Sequence, residues 1–463
     1  MPTYGIDDLS LALPALYLPI EDLANARDIE PAKLRHGLGL INMALCDVDE
    51  DVITLAARAT IELIVKNNLT PTDIGRIYIG TESSVDGSKP IASYVLGLVK
   101  HHFESKAIDT AGLNRCDVVD LTFACIGAVD AMHNSLAWLH TPAAEGKVAI
   151  VVATDDAKYE LDSTGEYTQG AGAVAVLLKA EPRLMSIDLA VGVSSCDEHD
   201  FFKPLRLRRT PSDTNDQTVD MLTVEHKETP IFDGPFSNKT YTSRIVEAYK
   251  HYKEQHASTT LAGHAKYIFH LPYSYHGRRI FPELYFQELK ELGQYDDYLE
   301  NHSLTPPDST LDKDTYKGEL RAFLKARTKT TDFKALLADK ITQGEQLSSE
   351  VGNVYTASIF LALMSTLWHA KEEDLAGQEV LFLAYGSGSK AKVFAGNLMP
   401  SWKQVANQWP VNDQLKARTA VSFDEYVDIR CHKVDTPVAG CKDIAQAASG
   451  VLPTNRYAKY YTI

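Results

Sequence analysis

The chain has few cysteines, and none of them is spaced as a metal site or a redox motif requires. Its six cysteines, at positions 46, 116, 125, 196, 431 and 441, are scattered, with no CxxC pair and no Cys/His cluster at zinc spacing. Scattered thiols are typical of a reducing compartment and argue against a structural metal. We therefore expect no metal in this protein and a cytoplasmic location.

Long apolar runs and an excess of positive charge are also missing. No stretch approaches the length of a membrane span, and the opening segment MPTYGIDDLSLALP lacks the basic and apolar regions of a secretory signal. Lys and Arg number 46 against 62 Asp and Glu, which gives a net charge of −16. These absences argue against a membrane or a nucleic-acid partner. An anionic substrate would need a local basic patch.

Short apolar strands alternate with helices over the 463 residues, and this alternation indicates the α/β class. The order helix, strand, turn, strand occurs once after Cys125 and again after Asn353, which indicates two similar α/β halves. We assign them to residues 1–180 and 181–463. Residues 281–350 are charged and helix-prone, and they predict a helical insertion on the surface of the second half.

The stretch VVDLTFACIGAVDAMHNSLAWL, residues 118–139, reads as an apolar strand, a short turn and an amphipathic helix. Cys125 would lie at the start of that helix, where free backbone N–H groups and the helix dipole favour a thiolate. A thiolate there can accept an acyl group. The alternative is that Cys125 is a small buried apolar residue.

Six short motifs follow one another along nearly the whole chain: TES, ACIGA, TQGAGAVA, HDFFKP, FHLPY and GNVYTAS. In these motifs the sequence resembles the hydroxymethylglutaryl-CoA synthases, a family of the thiolase superfamily. The resemblance implies a thiolase-like fold, in which two pseudo-symmetric halves form a layered αβαβα structure. It also implies a homodimer with the site near the interface, and CoA thioesters as substrates with no cofactor.

By this resemblance, Cys125 would take the acetyl group of acetyl-CoA, and Glu82 would then remove a proton from the acetyl methyl group. His270 would hold and polarise acetoacetyl-CoA, and water would release 3-hydroxy-3-methylglutaryl-CoA for the mevalonate pathway of isoprenoid synthesis. A carboxylate in a dry pocket suits the role of base. Either a neutral or a charged imidazole can donate to the developing alkoxide.

Further positions match residues with which the family binds its substrates, although each could instead be a cap or turn residue. The acyl site would be lined by Asp155, Tyr159, Thr168, Asp200 and Ser237. Asn353 would contact the second substrate, and backbone N–H groups at Cys125 and Ser387 would form the oxyanion hole.

The sequence departs from the family where two lysines commonly approach the CoA phosphates. Tyr275 stands at the first place and Arg279 at the second. Arg279 could pair with a phosphate in a bidentate way, but Tyr275 supplies no charge. The basic segment KPLRLRR, residues 203–209, could assist, or it could be a solvated loop.

The nearest alternative is a synthase of the same family that installs β-branches on polyketides carried by acyl carrier proteins. The net charge of −16 argues mildly against an acidic carrier. Ketoacyl synthases and thiolases use two histidines, or a histidine and a second cysteine, and the Glu82 motif speaks against both. A non-enzymatic interaction module is disfavoured because all three reactive side chains are retained.

Overall fold

The computed structural model describes residues 3–204, 207–209, 223–225, 228–256, 258–440, 444–447 and 459–462. Within these residues the strands are β1 (Tyr4–Ala12), β2 (Leu16–Pro19), β3 (Asn42–Leu45), β4 (Ile74–Gly80), β5 (Asp117–Leu121), β6 (Val148–Asp156), β7 (Ala171–Ala180), β8 (Met185–Ile187), β9 (Gly192–Ser195), β10 (Phe201–Phe202), β11 (Leu207–Arg209), β12 (Thr223–Glu225), β13 (Ile231–Phe232), β14 (Lys266–Phe269), β15 (Glu379–Gly386), β16 (Lys390–Leu398), β17 (Thr419–Ala420), β18 (Ala445–Ala447) and β19 (Tyr460–Thr462).

The helices are α1 (Ile20–Ala26), α2 (Pro31–Leu38), α3 (Val52–Lys66), α4 (Ile91–Ser105), α5 (Gly127–Leu139), α6 (Gly234–Gln255), α7 (His276–Glu291), α8 (Tyr295–Asn301), α9 (Lys313–Arg327), α10 (Thr331–Lys340), α11 (Thr342–Val351), α12 (Ser358–His369), α13 (Trp402–Ala406), α14 (Val411–Lys416) and α15 (Phe423–Arg430). The segment predicted to be a helical insertion contains α8, α9 and α10, most of α7 and nearly all of α11. In the part of the chain described, no helix combines the length and the apolar character needed to cross a membrane.

A large mixed sheet organises the fold, and the expected α/β class is confirmed. Its strand order is β14-β15-β16-β8-β1-β7-β6-β4-β5, with β9 paired to β16. On one side β4 is parallel to β6, which is antiparallel to β7. On the other side β14 is parallel to β15, which is antiparallel to β16. The same pairing pattern thus occurs twice, and a short β1–β8 pairing joins the two sides.

The predicted boundary between residues 180 and 181 falls at the end of β7, before β8 begins. As a domain division it stays a prediction. One apolar cluster contains residues of α5, α6 and α12 together with strands from both halves. A second cluster packs α3 and α4 against β4, β6 and β7. Strand β6 contributes to both clusters, because it lies between β4 and β7 and all but its last residue are buried.

Three parallel strands end at one edge of the sheet, and their ends place reactive side chains together. β4 ends at Gly80, β5 at Leu121 and β6 at Asp156. Carboxyl ends of parallel strands are the usual place for a ligand crevice in α/β sheets. Gly80 is needed there, because a Cβ atom at this position would lie 2.2 Å from the backbone nitrogen of Ala128 in α5. The missing side chain lets α5 approach β4.

Candidate active site

Cys125 and Glu82 form the centre of the site. The Cys125 Sγ lies 3.0 Å from Glu82 Oε1, and the Cys125 residue is only 8% exposed. Glu82 follows the end of β4, and Cys125 lies in the turn between β5 and α5. Ala124, immediately before the cysteine, has a φ of 39°. That left-handed backbone is strained for a residue other than glycine, and strain of this kind concentrates at functional sites.

The expectation that the surroundings of Cys125 favour a thiolate is wrong. Burial raises the pKa of the Cys125 thiol well above its usual value, and the nearby charges of Glu82 and Asp155 raise it further. These effects outweigh the helix dipole, which acts only through partial charges. The resting cysteine is therefore a thiol that donates its hydrogen to the Glu82 carboxylate.

Asp155 holds the loop that carries Glu82. Its Oδ1 accepts hydrogen bonds from the backbone N–H of Glu82 (2.8 Å) and from the hydroxyls of Thr81 and Ser83 (3.0 and 2.9 Å). Its Oδ2 accepts from the N–H and hydroxyl of Thr356 at 2.9 and 2.5 Å. Burial raises the pKa of Asp155, and the charge of Glu82 adds to that effect. The predicted acyl-site residue Asp155 thus lies directly beneath Glu82 with both oxygens engaged.

Lys203 contacts Glu82 from the opposite side. Its Nζ lies 3.5 Å from Glu82 Oε2 and donates to the Glu82 backbone carbonyl at 3.3 Å. The same ammonium lies 4.1 Å from the centre of the Tyr355 ring. The sequence suggested that the basic segment 203–209 assists the CoA tail. The structure instead places its first lysine against the carboxylate, and the side chains of residues 205–209 lie outside the part of the chain that the structure describes.

Aromatic rings pack around the cysteine and help to bury it. Tyr159 packs edge-on against Phe232 with ring centres 5.6 Å apart and against Phe201 at 6.3 Å. Tyr355 lies 5.9 Å from Phe201 and 6.3 Å from Tyr159. Cys125 belongs to the same apolar cluster. The sequence predicted Tyr159, whereas it missed the two phenylalanines and Tyr355, although the HDFFKP and GNVYTAS motifs contain Phe201 and Tyr355.

His270 directly follows β14 and is a buried, neutral histidine. It is 2% exposed, and desolvation lowers its pKa to about 3. Tyr241 fixes the backbone here, because its hydroxyl donates to the His270 carbonyl at 2.6 Å. Among the described residues, His270 Nδ1 has no hydrogen-bond partner. The sequence left the charge of this imidazole open, and the low pKa makes it neutral near pH 7.

The loop after β15 packs against the cysteine turn. A Cβ atom at Gly386 would lie 2.8 Å from the carbonyl oxygen of Phe123 and 3.0 Å from the nitrogen of Ile126. The glycine therefore lets the two backbones approach each other closely. Ser387, which follows it, is half-buried in the same loop.

Asp200 anchors that loop from below. Its Oδ1 accepts a hydrogen bond from the backbone N–H of Gly388 at 2.9 Å. Its Oδ2 accepts from the Tyr385 hydroxyl at 2.6 Å and from the Ser237 hydroxyl at 3.3 Å. The structure thus brings together three predicted residues: Asp200, Ser237 and the loop residue Ser387. Asp200 is fully buried.

Asn353 and Thr168 lie next to each other, and both make turn-stabilising contacts. The Asn353 N–H donates to the Thr168 carbonyl at 2.8 Å, and Asn353 Oδ1 accepts from the Tyr355 N–H at 2.9 Å. The Thr168 hydroxyl donates to the Gly165 carbonyl at 2.7 Å. The Asn353 side chain also contacts the Tyr159 hydroxyl. These bonds are those of turn residues, and they place Asn353 beside the aromatic enclosure.

Arg279 lies in the first turn of α7, and its side chain is exposed. Its guanidinium donates to the Gly37 carbonyl of α2 at 2.7 Å and to the Tyr273 hydroxyl at 3.2 Å. The neighbouring Arg278 stacks on the Tyr275 ring, 3.7 Å from its centre. The site residues assigned from the sequence are thus placed in the structure, and their roles toward substrates stay predictions.

Two family models match the chain. The model of the hydroxymethylglutaryl-coenzyme A synthase N terminal matches residues 2–182, and that of the C terminal matches residues 222–440. A hydroxymethylglutaryl-CoA synthase of Haloferax volcanii is 31% identical over 447 residues, which are 95% of this chain and 94% of that protein.

Solved structures with the same fold include MvaS in complex with 3-hydroxy-3-methylglutaryl coenzyme A. It has a TM-score of 0.80 and 29% identity, and the match covers 100% of this chain and 99% of the other. The HMG synthase of the curacin biosynthetic pathway, solved with an apo donor-ACP, has a TM-score of 0.73 at 19% identity, with 99% of each chain covered. At that identity the likeness concerns the fold alone.

Proposed function

The chain belongs to the hydroxymethylglutaryl-coenzyme A synthase family, and from that premise we propose that it condenses acetyl-CoA with acetoacetyl-CoA through an acetyl-Cys125 intermediate. Its α/β fold is thiolase-like, as the resemblance implied. The observation that carries the proposal is the buried thiol–carboxylate pair, with 3.0 Å between Cys125 Sγ and Glu82 Oε1. The product would be 3-hydroxy-3-methylglutaryl-CoA, for the mevalonate pathway of isoprenoid synthesis.

In the first step, Glu82 takes the thiol proton as Cys125 Sγ attacks the acetyl-CoA carbonyl. The contact between the two side chains is already a hydrogen bond, so the proton moves along an existing path. The C–S bond to CoA breaks, and the CoA thiolate leaves with the proton held by Glu82. The carboxylate is thereby regenerated, and the cysteine carries the acetyl group. A thiol with a raised pKa needs such a base, which a preformed thiolate would not.

In the second step, Glu82 removes a proton from the acetyl methyl group. The acetyl group occupies Sγ, so Oε1 no longer accepts the thiol hydrogen and is free to face the methyl carbon. The enolate carbon attacks the ketone of acetoacetyl-CoA, and an N–H of the neutral His270 makes a hydrogen bond to the developing alkoxide. The proton that Glu82 took then passes to this alkoxide, which gives the 3-hydroxyl group and regenerates the carboxylate. Water then hydrolyses the thioester to Cys125. CoA thioesters are the substrates, and we propose no cofactor.

The oxyanions formed at the cysteine would accept hydrogen bonds from backbone N–H groups at Cys125 and Ser387. The support for this role is the close packing of Gly386 on the cysteine turn and the anchoring of Gly388 by Asp200. A loop held in this way is preorganised, and preorganised donors stabilise developing charge without reorganisation. For the CoA phosphates we propose the exposed Arg279.

Two variants test the proposed chemistry. Cys125→Ala should take up no label from radiolabelled acetyl-CoA, and covalent label on this variant would overturn the assignment. Glu82→Ala should acetylate more slowly and form no condensation product, since both steps use the carboxylate. A strong preference for acetoacetyl-loaded carrier protein over acetoacetyl-CoA, offered side by side, would favour the polyketide alternative.

We also propose a homodimer that forms along β5, in a cytoplasmic protein. β5 is the last strand of the sheet, and Val119 on it is 38% exposed. An exposed strand edge readily pairs with a strand of another copy, and Cys125 would then lie four residues from the interface. Val119→Lys should give monomers in sedimentation equilibrium, whereas Val193→Lys, at an equally exposed valine of β9, should not. Dimeric Val119→Lys would contradict this interface.

A further inference from the structure

We propose that Lys203 is a positioning residue for Glu82: its ammonium aims the carboxylate at the acyl group and balances its negative charge in a buried site. The inference rests on the proposed function, in which Glu82 is the base for both proton transfers. Lys203 lies in the loop after β10. The sequence predicted only that its segment is basic, not that Lys203 contacts Glu82.

The two carboxylate oxygens of Glu82 have different neighbours. Oε1 faces the Cys125 thiol at 3.0 Å, and Oε2 faces the Lys203 ammonium at 3.5 Å. The Glu82 side chain is 6% exposed and that of Lys203 is 15% exposed. Oε1 is therefore available for proton transfer, while Oε2 lies next to a positive charge that favours this rotation of the carboxylate.

The lysine is itself held from three directions. Besides Oε2, its Nζ contacts the backbone carbonyl of Glu82 at 3.3 Å and the face of the Tyr355 ring at 4.1 Å. The distance to Oε2 exceeds the 2.7–2.9 Å or so that is usual for a charge-assisted N–H···O bond. The ammonium thus acts on the carboxylate mainly through its field, and Oε2 does not compete for its proton.

The charges around Glu82 show why a cation is needed. The other titratable groups that face Glu82 in the described chain are the Cys125 thiol, the Asp155 carboxyl and the phenols of Tyr159 and Tyr355. Each of these is neutral or negative, and burial disfavours a bare carboxylate. The positive charge of Lys203 opposes the effect of burial, because it favours the ionised forms of its neighbours and lowers the pKa of both Cys125 and Asp155.

The test measures the pH dependence of one step in the full-length enzyme. Enzyme acetylated beforehand with acetyl-CoA is mixed with acetoacetyl-CoA, and single-turnover product formation is followed across the acidic and neutral range. In Lys203→Met the acidic limb of this profile should move up by about one to three pH units, the shift typical of losing a neighbouring opposite charge. At alkaline pH the rate should return to within a few-fold of wild type. Lys203→Arg should keep the wild-type profile.

A matched control is Lys253→Met. Lys253 also pairs with a glutamate, Glu291, and lies over a tyrosine ring, that of Tyr249, at 5.1 Å, but it joins α6 to α7 on the protein surface. Removing it deletes the same kind of contact and should leave the profile unchanged. Circular dichroism and the melting temperature of each variant verify its folding.

Two results would overturn the inference. One is a Lys203→Met profile that matches wild type, and the other is an equal loss of rate at every pH, which marks a merely structural role. Failure of the proposed function has a different signature, because wild-type enzyme itself would then carry no acetyl group on Cys125 or form no condensation product. The wild-type profile therefore separates the two failures.

Discussion

His276→Leu tests how strongly burial keeps an imidazole behind the active site neutral. His276 begins α7, is 3% exposed and stacks on Tyr241 with ring centres 4.7 Å apart. Neither of its ring nitrogens has a hydrogen-bond partner within the described residues. Desolvation lowers the pKa of His276 to about 3, and interactions with His270 and Arg279 lower it further. Leucine is close to histidine in volume and titrates nowhere.

The lowered pKa of His276 determines how the unfolding free energy changes with pH. A histidine whose pKa is lower in the folded chain binds its proton more readily once the chain unfolds. Its contribution to stability is therefore complete above the unfolded pKa of about 6.5 and is lost as the pH falls toward the pKa of the folded state. With a folded pKa of about 3, the loss at about pH 5 is roughly 2 kcal/mol of unfolding free energy. His270, also with a pKa of about 3, adds a similar loss, which the variant retains.

The assay is urea unfolding at one protein concentration, near neutral pH and near pH 5. Between these conditions, the unfolding free energy of His276→Leu should fall by roughly 2 kcal/mol less than that of wild type. His101→Leu, at an exposed histidine of α4, should fall as much as wild type. If His276→Leu loses as much stability in acid as wild type does, the imidazole is not held neutral by burial and the reasoning fails.

Two further predictions concern the contacts that place Glu82. Thr356→Val removes a hydroxyl that lies within hydrogen-bond distance of both Asp155 Oδ2 and the Gly80 carbonyl and shares its one hydrogen between them. The variant should lower the unfolding free energy by about 2–4 kcal/mol. Thr60→Val, whose hydroxyl bonds only to a carbonyl within α3, should cost less than about 1 kcal/mol, and equal losses would contradict the argument. Gly80→Ala should destabilise the fold by about 1–3 kcal/mol or more and slow the acetylation of Cys125, because α5 must move away from β4. The control is Gly97→Ala, whose added Cβ has open space around it. In urea unfolding and acetylation assays this control should show neither effect.

The α/β class could be predicted from the sequence because the strands are short apolar runs. Strand β6, VAIVVATDD, is buried along nearly its whole length, as a strand between two neighbours must be. The pairing of Cys125 with Glu82 was predictable only through the family resemblance. The two residues are 43 positions apart, and it is the parallel pairing of β4 and β5 that closes this distance.

The features of the site that the sequence did not predict correctly depend on contacts between distant segments. The thiolate expectation considered the helix start alone, whereas the protonation of Cys125 depends on burial and on Glu82, which a local pattern does not contain. The contact of Lys203 with Glu82 depends on the path of a loop, and composition predicted only a basic segment. Tyr355 was missed because its place beside Tyr159 arises from the packing of distant segments.

The hydrogen bonds beneath Glu82 have a consequence for the growing chain on the ribosome. Thr356 contacts Gly80 and Asp155 across 276 and 201 positions of sequence, and Gly388 contacts Asp200 across 188. The cysteine and the glutamate are thus translated early, but their buried setting is completed only when the last quarter of the chain has emerged. A nascent or truncated chain that ends before Thr356 therefore lacks contacts that complete the pocket around both reactive side chains, and the proposed activity should begin only when synthesis is nearly finished.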